Sequence, residues 1–89
     1  MKNLYMVYDT VAQCVVGGII QEPNDAPAIR AFHDALGDKN SFLASHPADY
    51  NMMRIGYINS QGIITTEENT LPSTVAHGAA WAATSLPTA

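Results

Sequence analysis

The chain has 89 residues, a net charge of −4 and one cysteine, Cys14. That is a single domain with no intrachain disulfide, and it buries only about 60–65% of the surface its unfolded form exposes, so self-association is the expected extra support. Four basic side chains against eight acidic ones argue against strong generic binding to nucleic acid or an anionic membrane, which requires clustered Lys and Arg.

Residues 1–9, MKNLYMVYD, hold no apolar run followed by a cleavage site, so no secretory leader is expected. No stretch approaches the ~20 apolar residues of a membrane span. Residues 3–8 are rich in aromatic and β-branched types and read as a strand. Leu4, Met6 and Tyr8 share one face, Tyr5 and Val7 the other. Both faces are apolar, which fits a central strand or one whose outer face meets a partner. Asp9-Thr10 opens a turn. Residues 13–20 form a second strand, interrupted by Gly17-Gly18, which suggests a bulge. The two pair as an antiparallel hairpin.

A helix is predicted over 25–36. Asn24 or Asp25 can cap its first amides, and Pro27 lies in the first turn. Ile29, Phe32 and Leu36 line one face. Gly37 supplies the stop, through the left-handed conformation glycine adopts at low cost. Ser41 can cap one helical turn over Phe42–Ser45, and Pro47 begins another through Asp49. Residues 50–58 read as a strand with Met53, Ile55 and Tyr57 on one side. Met52, Arg54, Gly56 and Ile58 lie on the other, mixed and therefore more exposed. Residues 59–62 make a hairpin turn with Gly62 at positive φ, and 62–66 complete a fourth strand. The fold class is α+β: a small antiparallel sheet in ββαββ order with one main helix packed on it. Residues 1–66 form the domain. Residues 67–89 form an alanine-rich tail, either disordered or a weak helix from about 73 to 84, docked through Leu71, Val75, Trp81 and Leu86.

Catalytic and metal chemistry find no footing. His33, His46 and His77 lie in separate segments without ligand spacing. Cys14 sits in a strand pattern, where a thiol behaves as a small apolar residue. The carboxylates are accounted for by capping, turns and a solvated helix face. No catalytic residue, metal or cofactor is expected, and the chain reads as a non-enzyme. The remaining site hypothesis is single-stranded nucleic acid, which stacks on aromatics beside a few cations. Arg54 and Tyr57 share a strand, and Lys2 and Arg30 can add phosphate contacts. Tyr5, Val7, Trp81 and Leu86 are the candidate interface residues between copies or with a partner protein.

An N-terminal LYMVYD, the run Ala28-Ile29-Arg30-Ala31-Phe32, then His46-Pro47-x-Asp49-Tyr50 and Ile55-Gly56 follow in fixed order. Over about residues 4–62 this set resembles the small nonstructural protein of gokushovirus-type microviruses, phages with circular single-stranded DNA. The resemblance implies a nonenzymatic protein of the host bacterial cytoplasm. Its implied role is in viral single-stranded DNA synthesis or packaging; a homo-oligomer, dimer or higher, is expected separately, from the small size of the chain. It would act by weak binding of single-stranded DNA or by contact with phage or host replication and assembly proteins. The alternative is an interaction module that binds no DNA and no membrane.

Overall fold

The computed structural model describes residues 1–66 and 72–85. Five strands form one antiparallel sheet: β1 (Lys2–Asp9), β2 (Cys14–Glu22), β3 (Tyr50–Ile58), β4 (Ile64–Thr66) and β5 (Ser73–His77). The order is β2-β1-β3, and β4 and β5 lie end to end on the outer edge of β3. Because β1 runs antiparallel to both neighbours, β2 and β3 are parallel. Helix α1 (Asp25–Gly37) makes the crossover between them. Two single-turn 3-10 helices, Phe42–Ser45 and Pro47–Asp49, lead into β3, and α2 (Gly78–Ser85) follows β5.

The fold is α+β, but the expected ββαββ order is extended by a fifth strand and a second helix. Residues 73–77, expected as part of a weak helix or a disordered tail, are instead a strand, and the helix begins only at Gly78. Thr74 and Val75 are both β-branched, so the segment gains more from pairing with the edge of β3 than from helical propensity.

Local chemistry explains the boundaries. Asp9 Oδ1 accepts from the amides of Val11 and Ala12 at 2.9 and 3.1 Å and closes the first turn. Asn24 is the cap of α1, accepting from the Ala26 amide at 3.1 Å, which leaves the Asp25 carboxylate for another partner. Ser41 caps the next turn through the Leu43 amide. Asn59 Oδ1 accepts from the amides of Gln61 and Ile63, and Gly62 adopts φ 86° as the hairpin requires.

Gly37 departs from its expected role. It is the last residue of α1, not a left-handed stop, and Asp38 ends the helix in extended conformation. What glycine provides there is proximity: a Cβ would lie 3.4 Å from Cζ2 of Trp81. The stripe of α1 also shifts, with Ala28, Phe32 and Leu36 buried and Ile29 partly so.

The core lies between α1 and one sheet face. It gathers Tyr5, Phe32, Leu36, Leu43, Tyr50, Met52 and Ala76. Burial of Phe32 and Leu36 is worth roughly 2–3 kcal/mol each. Met52 is 1% exposed, so the β3 face carrying Met52 and Arg54, expected to be the more exposed, is the one under the helix. A β-bulge explains the rest. Register passes from Leu4↔Gly56 to Tyr5↔Arg54, leaving Ile55 unmatched. The extra residue reverses alternation beyond it and returns Tyr57 to the face of Arg54.

Candidate interaction surface

Where α1 begins above β1 and β3, a polar cluster forms. The Tyr5 hydroxyl donates to Asp25 Oδ1 at 2.5 Å, and Asn3 Nδ2 donates to the Tyr5 oxygen at 2.9 Å. Arg54 Nη1 donates to both Asp25 oxygens, at 3.0 and 3.3 Å. Its guanidinium carbon lies 6.0 Å from the centre of the Tyr57 ring, within cation–π range. Burial, then the hydrogen bond to Asp25, pushes the Tyr5 hydroxyl up to about 12. The Tyr5 hydrogen bond, and after it the charge of Arg54, hold the Asp25 carboxyl below the usual carboxylate range. The cluster is an anchor between helix and sheet, and every buried side-chain polar atom among the described residues has a partner.

Of the four residues expected to meet nucleic acid, the fold joins Arg54 and Tyr57 and sets the other two apart. Lys2 pairs with Ile58 in the ladder and, by alternation, lies on the sheet face away from the cluster. Arg30 is exposed on the surface of α1 that faces away from the buried stripe. Arg54 is in a salt bridge with Asp25, an anion that would repel a phosphate. The sequence pointed to Arg54 but not to Asp25 as its partner, because Asp25 also satisfied a capping pattern.

Of the expected interface residues, Tyr5 is at 0% exposure beneath α1, which corrects its assignment to a contact surface. Val7 is half-buried against the same core. Both sit on the helix-covered face because Tyr5 pairs with Arg54 and Val7 with Met52. Trp81 is half-buried and packs against the core. It lines a groove of about 440 Å³ with Ile29, His33, Val75, Ala76 and His77. Leu86 and Leu71 lie outside the described residues. Among the described residues no three His, Cys, Asp or Glu side chains converge as metal ligands, and no described helix is long and apolar enough to cross a membrane.

The opposite face of the sheet carries none of the described helices, yet Leu4 on it is 3% exposed. Met6 lies across from Met53, Tyr8 across from Asn51, and Leu4 across from Gly56. Thr74 joins this face, its hydroxyl donating to Met53 Sδ at 3.1 Å. The apolar alternation of residues 4, 6 and 8 signalled this surface in the sequence, but the two sides of β1 were indistinguishable until the helix chose one.

A family model described as Phage ORF5 protein matches residues 2–81. The chain belongs to the phage ORF5 protein family. The match takes in every described strand of this ORF5 protein, the polar cluster and the first half of α2. No curated protein and no solved structure matches the chain.

Proposed function

We propose that this phage ORF5 protein is the small nonstructural protein of a gokushovirus-type microvirus. It serves viral single-stranded DNA synthesis or packaging in the host cytoplasm by contacting proteins of the replication or assembly machinery. It does so without catalysis and without a DNA-binding groove of its own. Family membership and the ordered motifs support the phage setting. The disposition of the cations carries the choice of contact over DNA binding: Lys2 and Arg30 lie on opposite sides of the protomer, and Arg54 is held by Asp25. A single-strand groove needs cations that track one backbone beside stacking rings. The groove beside Trp81, with Ile29 and Val75 in its wall, offers a place for an apolar segment of a partner protein.

The test is fluorescence anisotropy of a labelled single-stranded oligonucleotide at low salt. No change is expected up to about 100 μM protein, weaker than ordinary non-specific binding. A salt-sensitive rise that Lys2→Ala and Arg30→Ala both diminish would replace this reading with direct DNA binding.

A further inference from the structure

Strand β2 is an edge: β1 pairs with one side of it, and among the described residues no strand pairs with the other. Natural edges are blunted by lysine, proline, shortness or a bulge. β2 runs for nine residues and holds neither lysine nor proline. Its one protective device is a bulge. Register passes from Tyr5↔Ile20 to Val7↔Val16, so Gly17, Gly18 and Ile19 stand against Met6 alone. Gly17 is needed for its φ of 77°. Gly18 has no such need, and a Cβ there would meet nothing within 4 Å. The packing of the protomer gives no reason for glycine at 18, which points to close approach by a backbone from outside. Beside this edge, on the helix-covered side, lies an apolar groove of about 330 Å³, lined by Val16 and Ile20 of β2, Ala35 of α1 and Leu43. Ile19 and Phe42 also line it, with 57% and 60% of their surface exposed.

We infer that the free edge of β2 takes up an extended segment of a partner protein as an added strand, with apolar side chains entering the groove and a Lys or Arg near each end. Three observations select this occupant. The first is the edge itself. Its unpaired amides and carbonyls are satisfied by extended backbone, and alternate side chains of an added strand then point into the groove. The second is charge. Asp9 and Glu22 mark the two ends of the helix-covered face, Asp9 across from Cys14 and Glu22 across from Asn3, while Lys2 lies on the other face. From Asn3 to Asp9 is six strand steps, about 20 Å. The number is even, so cations at both ends of such a span share a face with the apolar side chains between them. The third excludes a second copy. Antiparallel self-pairing of β2 about its centre would set bulge against bulge and bring Glu22 of each copy to the end where the other carries Asp9. The same carboxylates oppose a nucleic acid. The edge groove shares no lining residue with the groove beside Trp81, so this inference and the proposed function fail separately.

The probe is a fluorescein-labelled peptide, Lys-Thr-Val-Thr-Val-Thr-Lys with an amidated C-terminus, titrated with the full chain at low salt and read by anisotropy. Wild type should give a saturable rise with half-saturation below about 1 mM. The same peptide N-methylated at its five central residues cannot donate to a ladder and should not bind. The version with Glu at both ends should bind about tenfold more weakly. Gly18→Val should keep the thermal midpoint of the wild type or raise it, since its side chain enters open space, and should weaken binding at least about tenfold by obstructing the added strand. Phe42→Ala, at an exposed position, should weaken binding to a smaller degree without disturbing the core. Ala80→Lys, in the wall of the groove beside Trp81, should leave binding unchanged. No rise for wild type up to about 1 mM would overturn the inference. Equal binding of the N-methylated peptide would do so as well, because no ladder would then form. Loss of binding in Ala80→Lys but not in Gly18→Val would move the peptide to the groove beside Trp81 and overturn it too.

Discussion

Replacing Asp25 by Asn would keep the shape of the side chain and remove the charge that Tyr5 and Arg54 share. The Arg54–Asp25 pair is partly solvated, with side-chain exposures of 26% and 37%, so its Coulombic share is screened to about 1 kcal/mol or less. Weakening the acceptor of a buried tyrosine hydroxyl adds to this, and Asp25→Asn should destabilise by about 1–2 kcal/mol in urea unfolding. The pH dependence separates the terms. Asp25 has a lowered pKa in the folded state, so its contribution is complete above the ordinary carboxyl value of 3.8 and is lost as pH falls through the lower folded value. Wild type should therefore lose stability on acidification more steeply than Asp25→Asn. Tyr5 has the opposite sense. Its folded pKa is raised from 10.0 to about 12, so its neutral form stabilises the fold fully below pH 10, and that contribution disappears as pH rises through 12. The stability gap between wild type and Tyr5→Phe should be constant below pH 10 and change steadily between 10 and 12. A gap that stays constant across that window would mean that the hydroxyl is not held as described.

Helix α2 begins at Gly78, where helical propensity and packing make opposite predictions. Propensity alone says that Gly78→Ala stabilises a helix by about 1 kcal/mol. The structure says that the new Cβ would lie 2.0 Å from the Pro47 carbonyl oxygen and 2.4 Å from that of Tyr50. These are backbone atoms that cannot rotate away, so Gly78→Ala should cost more than about 2 kcal/mol, read as a fall in thermal midpoint of roughly 10 °C or more. Gly56 behaves alike in the sheet, its Cβ position lying 2.4 Å from the Thr65 carbonyl oxygen. This shows where sequence reading stopped. Short-range chemistry was legible: the Ser41 cap, the Pro47 turn and the positive φ of Gly62 each depend on residues within four positions, and they formed as expected. Long-range geometry was not. Gly37 looks like helix punctuation in sequence but is a space for Trp81, and Gly78 is a space for the carbonyls of Pro47 and Tyr50. The bulge at Ile55 leaves no compositional mark, yet it decides that Tyr57 joins Arg54. The Arg54–Tyr57 pair was therefore readable as a strand neighbourhood, while the anion that occupies it, 29 positions away in sequence, was not.

At the scale of the whole molecule, the open question is whether residues after 66 are an attachment or a part of the core. The sheet answers in structural terms. β5 completes the β3 ladder from Asn51 to Arg54, Ala76 is 9% exposed within the core cluster, and Val75 and Trp81 pack against it. Removing them would unpair the backbone of a central strand and expose Met52 and Phe32 from the side. The lost apolar burial alone amounts to roughly 3–5 kcal/mol. A domain of this size has a total stability of about 4–13 kcal/mol, so the loss would consume much of it, before counting ladder hydrogen bonds. A chain ending at Thr66 should therefore lack a cooperative thermal transition, measured by circular dichroism, and give the narrow amide dispersion of an unfolded protein. If it melted within a few degrees of the full chain, β5 and α2 would be an appendage to a four-stranded domain. Gly78→Ala would then also be silent, because both outcomes rest on the same packing of α2 beneath the carbonyls of Pro47 and Tyr50.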